Sequence, residues 1–74
     1  MMFMKRYLDK SGNSGVHSYQ VGANSITVKF KTGKSYTYSY RSAGANHVEQ
    51  MKILAADGRG LATYINKYVR DNYD

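Results

Sequence analysis

Two alternating runs on either side of a glycine turn constrain this chain more than any other feature. Ile26, Val28 and Phe30 alternate with Thr27, Lys29 and Lys31, and beyond Thr32-Gly33-Lys34 the alternation resumes, with Tyr36, Tyr38 and Tyr40 against Ser35, Thr37, Ser39 and Arg41. A period of two on both arms belongs to strands, and the intervening glycine makes the pair a hairpin. Val16 to Val21 reads as a preceding short strand, 22–25 as the turn that joins it to the hairpin, and 9–15 as a turn-rich connector. After Gly44 the period changes. Val48, Met51, Leu54 and Ala55 share one helical stripe, with Asn46 and Glu49 in the spacing of an N-cap and its reciprocal acid, and Asp57-Gly58 as the stop. Leu61, Tyr64, Ile65, Tyr68 and Val69 form a second stripe, so both tyrosines are assigned to the core, opposite Thr63, Asn66, Lys67, Arg70 and Asp71. The expected fold is α+β in a single domain, 1–74: an N-terminal extension and turn over 1–13, a small antiparallel meander of about three strands over 14–41, and two packed helices over 45–73.

Ile, Leu, Val and Phe supply only 13 of 74 residues, so the eight tyrosines must furnish much of the buried area. Each ring can bury on the order of 150–250 Å² while its hydroxyl stays wet or bonded. A core that small gains from burial against a second copy, which makes a homo-oligomer an expectation. The chain has no cysteine, which removes disulfides, thiolate metal sites and a cysteine nucleophile, and points to a reducing, cytoplasmic setting. Met1-Met2-Phe3-Met4 runs straight into Lys5-Arg6, too short an apolar core for a signal peptide. No stretch approaches the roughly 20 apolar residues of a membrane span, so no membrane partner is expected.

Charge is unevenly distributed. Residues 1–41 carry seven Lys and Arg against Asp9 alone, a net of +6, whereas 42–74 carry four of each sign and sum to zero. Lysines on an outer sheet face serve solubility and discourage edge pairing; a concentrated positive field also attracts nucleotide and nucleic-acid phosphates. The hairpin register decides what accompanies that charge. A two-residue turn at Thr32-Gly33 would pair Phe30 with Ser35 and put the tyrosines on the lysine face, as a stacking platform. A three-residue loop, Lys31-Thr32-Gly33, would instead oppose Val28 to Tyr36 and Ile26 to Tyr38, turning those tyrosines inward. The outer face would then be Thr27, Lys29, Ser35, Thr37, Ser39 and Arg41. The steric cost of Thr32 at positive φ favours the longer loop. In that register Tyr40, Tyr7, Tyr19 or Tyr73 would have to supply any stacking ring at the rim.

Three segments in order, Ser14-Gly15-Val16, the centre Ile26-x-Val28-x-Phe30-x-x-Gly33-x-x-Tyr36-x-Tyr38, and Tyr64-Ile65-Asn66-x-x-Val69-Arg70-x-x-Tyr73, give a pattern that resembles the KTSC domain. This small module is named after the C-terminal extension of some lysyl-tRNA synthetases, and it also occurs as free-standing bacterial and phage proteins. The chain departs from the pattern in having no proline after the Tyr-x-Tyr strand, where Arg41-Ser42-Ala43-Gly44 stands instead. The resemblance covers about 14–73 and implies RNA binding, with Tyr36, Tyr38, Asn66, Arg70 and Tyr73 as family-motif candidates.

Catalytic signatures are sparse. His17 and His47 are the only histidines, and His47-Val48-Glu49 lacks the Cys-x-x-Cys partner of a deaminase zinc site. His47 reads as an exposed turn residue. Asp57-Gly58-Arg59-Gly60 is a helix–helix turn rather than a P-loop, although it sets Arg59 at the start of the second helix. The expectation is therefore a non-enzymatic module, with no cofactor and no metal, that binds phosphate-bearing ligands, foremost an RNA or nucleic-acid backbone. Lys29, Lys31, Lys34, Arg41, Arg59, Lys67 and Arg70 are the candidate phosphate contacts, and Tyr36, Tyr38, Tyr40, Asn66 and Tyr73 the candidate stacking or motif residues. Two other classes remain open: a homo-oligomeric, phage-type sponge that sequesters a small nucleotide immune signal, and an interaction module for an acidic protein.

Overall fold

The hairpin turns on Gly33, whose φ of +96° is readily reached only without a Cβ. Its N–H donates to the Phe30 carbonyl at 2.9 Å, and the Phe30 N–H donates to the Lys34 carbonyl at 2.8 Å. Strands β3 (Ser25–Phe30) and β4 (Ser35–Ser39) accordingly pair with Val28 opposite Tyr36 and Ile26 opposite Tyr38. The longer loop is the one formed, and Thr32 is spared a positive φ.

A computed structural model describes residues 4–74; the expectation placed on the Met1–Phe3 start lies outside the described residues. The sheet has four antiparallel strands, each hydrogen-bonded to its neighbour in chain order, one more than the sequence showed. The additional strand is β1 (Lys5–Arg6), within the stretch read as an extension. Two residues are too few to display a period, but they deliver Tyr7, 3% exposed, into the core. Strand β2 (Val16–Val21) carries a bulge: Val16 opposes Phe30 while Ser18 opposes Lys29, so His17 is the additional residue. The bulge brings Val16 and Tyr19 to the same inner face although three positions separate them.

Helix α1 (Ala45–Asp57) lays Val48, Met51 and Ala55 on that face, against β3 and β4. It is capped by Gly44 with no side-chain bond, so the expected Asn46–Glu49 capping pair does not form; Asn46 already lies inside the helix. The stop is as read. Gly58 sits at φ +81°, and its N–H returns to the Leu54 carbonyl at 2.9 Å. A Cβ there would lie 2.6 Å from that of Leu8, so the glycine also allows the β1 exit to cross the helix end. Helix α2 (Leu61–Tyr64) runs directly into a π-helical segment, Ile65–Val69. Leu61, Ile65 and Val69 are buried, but Tyr64 is half-buried and Tyr68 is 50% exposed. The placement of Tyr68 in the core is therefore corrected: the wider turn directs the aliphatic residues inward and leaves that ring outside. Among the described residues no helix is long and apolar enough to cross a membrane.

Tyr38 is the largest fully buried side chain, and burial, followed by the charges of Tyr36, Tyr73 and Asp71, pushes its hydroxyl up to about 12. The fold therefore retains a proton that the unfolded chain releases near pH 10.0. That contribution is intact below about pH 10 and is lost as pH rises towards about 12. The melting temperature, followed by circular dichroism alongside tyrosinate absorbance, is expected to fall over this interval. A melting temperature unchanged to about pH 12 would contradict this assignment.

Candidate nucleic-acid interface

Strand register builds the face opposite the helices. Arg6, Ser18, Lys29 and Ser35 are successive cross-strand neighbours in one row; Gln20, Thr27 and Thr37 form the next, and Ser25 and Ser39 a third. The Thr27 and Thr37 hydroxyls hydrogen-bond to each other at 2.8 Å. These nine strand positions hold two cations, hydroxyls and an amide, and no carboxylate. Among the described residues, neither Arg6 nor Lys29 has an acid within ion-pair distance. An acid is brought to this surface at its β4 edge. There Asp74 donates its N–H to the Thr37 carbonyl at 2.7 Å and accepts the Ser39 hydroxyl at 2.7 Å. The Ser39 and Ser42 hydroxyls hold its carboxyl below the usual range.

The seven cations read from the sequence do not share this face. Lys29 stands on it. Lys31 and Lys34 belong to the hairpin turn, where Lys31 reaches Asp9 at 3.1 Å. Arg41 follows β4, at the opposite end of the sheet. Arg59 lies between the helices and pairs with Asp57 at 3.6 Å; α2 is a single turn, so no helix-dipole site accompanies it. Lys67 is exposed on the π-helical segment and Arg70 just beyond its end, with the Lys67 ammonium 5.5 Å from the Tyr68 ring. Arg6 was missed. Its strand is too short to read, yet Lys5-Arg6 followed by an inward Tyr7 contains the required alternation.

The aromatic residues sort by burial. Tyr38 is in the core, and Tyr36 is half-buried between Phe30, at 5.9 Å, and Tyr73, at 4.6 Å. Tyr73 also meets Tyr38 at 6.2 Å, so the C-terminal residues seal the open side of β4. Tyr7 and Tyr19 are buried and offer no ring at the rim. Tyr40 is exposed, and its hydroxyl donates to Glu49 at 2.6 Å, which raises its pKa. His47 is not a bare turn residue: its Nδ1 bonds the Tyr64 hydroxyl at 2.6 Å and its ring stacks on Tyr68. Asn66 is exposed on the helical side. The outer sheet face consequently presents charge and hydroxyls without a π surface, which suits phosphate and sugar rather than base recognition. Among the described residues no cluster of His, Asp or Glu could hold a metal ion. No family model matches the chain, and neither the curated proteins nor the solved structures provide a match.

Proposed function

We propose that this chain is a non-enzymatic module that binds the phosphate backbone of single-stranded RNA across the outer face of its sheet. The observation that carries the reading is the outward row Arg6–Ser18–Lys29–Ser35, in which two cations without acid partners stand on either side of the buried Ser18, with the exposed hydroxyl of Ser35 at the β4 end. Cations of this kind attract phosphates by releasing condensed counterions, and the hydroxyls add hydrogen bonds to phosphate and ribose oxygens. Lys34, in the hairpin turn of the same sheet, extends the positive track, while the charge of Lys31 is offset by Asp9.

Fluorescence titration with a labelled single-stranded oligoribonucleotide over a range of salt concentrations tests the proposal. The logarithm of the affinity is expected to fall linearly with the logarithm of the salt concentration, by roughly 0.7 for each phosphate neutralised. Absence of binding at low salt would refute it. Affinity indifferent to oligonucleotide length would do the same, since a backbone reader gains contacts as the strand lengthens.

A further inference from the structure

Where β1 leaves the sheet, a surface cavity of ≈ 330 Å³ is lined by Arg6, Tyr7, Leu8, Asp9, Val16, His17 and Lys31. This volume lies near the lower end of the range for small-molecule sites, about 300–1,000 Å³. Three of its side chains present nitrogen donors from three different segments. Arg6 comes from β1, His17 from the bulge in β2, and Lys31 from the hairpin loop. The bulge supplies the histidine: with Val16 and Tyr19 inward and Ser18 outward, His17 is the additional outward residue. Its Nδ1 lies 3.1 Å from the Ser18 hydroxyl. An Nδ1 that accepts that hydroxyl leaves Nε2 as the N–H donor available to a ligand.

The single acid of the cavity is already engaged. Asp9 adopts φ +54°, a left-handed backbone uncommon outside glycine. Its carboxylate accepts the Ser14 N–H at 3.1 Å, the Lys31 ammonium at 3.1 Å and the Ser11 hydroxyl at 3.4 Å. The Ser14 N–H and Lys31 hold its carboxyl below the usual range. Asp9 thus fixes Lys31 at the cavity wall, and two cations oppose one carboxylate. The remaining wall is apolar. Leu8, 66% exposed, is an aliphatic side chain left in solvent beside a group of cations, and it provides a surface for the uncharged part of a ligand.

We infer that this cavity is a terminal-phosphate site: Arg6, Lys31 and His17 grip a phosphate monoester, and Leu8 supports the sugar or base attached to it. A monoester carries more charge than the diester links of a strand and exposes more oxygens, which matches three donor-bearing side chains lining one cavity better than it matches the flat row beside them. The inference deepens the backbone reading, because Arg6 belongs to both surfaces. The monoester has two sources, the 5′ end of an RNA or a mononucleotide.

The test compares a 5′-phosphorylated oligoribonucleotide with its 5′-hydroxyl counterpart, and AMP with adenosine, on the parent chain and on His17→Ala, with thermal melts confirming that the variant folds. At least a ten-fold preference for the 5′-phosphorylated strand, lost in His17→Ala while 5′-hydroxyl binding persists, supports the site and assigns the RNA end as its source. AMP binding at least ten-fold tighter than adenosine and sensitive to His17→Ala, with no such preference among strands, supports it with a mononucleotide as source. AMP binding of that kind without any RNA binding keeps the cavity and overturns the backbone reading. Equal affinity for both strands together with no preference for AMP overturns the cavity and leaves the backbone reading standing. A phosphate preference retained in full by His17→Ala also overturns the assignment.

Discussion

Tyr38→Ala is expected to destabilise the domain by about 3–5 kcal/mol, the range for emptying a large aromatic site in a core. The side chain is 1% exposed, opposes Ile26 across the hairpin and takes the edge of Tyr73 at 6.2 Å. Its removal opens a cavity beneath α1 and withdraws one of the rings on which the C-terminal residues rest. A native domain has only about 5–15 kcal/mol in total, and a core built from so few aliphatic residues lies towards the lower end. The variant is therefore expected to be largely unfolded at physiological temperature, with Tyr38→Phe close to the parent because the ring is retained. Urea titration followed by circular dichroism measures both. A cooperative transition within about 1 kcal/mol of the parent would show that Tyr38 is not the centre of the packing.

The second large effect concerns binding. Arg6→Glu combined with Lys29→Glu is expected to weaken RNA affinity by roughly 10- to 100-fold at low salt and to flatten its salt dependence by about 1.4, since two phosphate contacts disappear at about 0.7 each. Lys67→Glu, on the helical side, changes the same net charge by half as much and is expected to have little effect. Titrations of the three proteins under matched conditions separate a local surface from overall charge. If Lys67→Glu weakens binding as strongly as the sheet-face pair, attraction is set by the whole molecule and the face has no special role.

Much of the architecture was legible because period carries it. Alternation over 26–30 and 36–40 announced the hairpin, and the steric cost of a β-branched residue at positive φ selected its loop. The elements that escaped were those that period cannot encode. β1 contributes two residues, below the length at which alternation is visible. The Asn46–Glu49 spacing was satisfied on paper, yet Gly44 took the cap because α1 begins a residue before Asn46. Tyr68 continued the apolar stripe only for an ideal helix of 3.6 residues per turn, and the π-helical segment removed it. The candidate interface fared similarly. Strand parity identified Lys29, the hydroxyls around it and the inward tyrosines. The summed charge of residues 1–41, however, said nothing about direction, and the loop cations face different ends of the sheet. His17 went unassigned, although the spacing of Val16, Tyr19 and Val21, three and then two, was the written trace of a bulge.

That bulge is dispensable to the core. Without His17, Val16 would precede Ser18 directly, and the strand would read inward, outward, inward as an unbroken ladder, with Val16 and Tyr19 still on the inner face. Nothing in the hydrophobic interior asks for the extra residue; what it adds is an imidazole on the exposed side, beside Arg6 and Lys31. A strand that interrupts its own pairing to display one more side chain has given up regularity where regularity was available, and the cavity is where that irregularity opens.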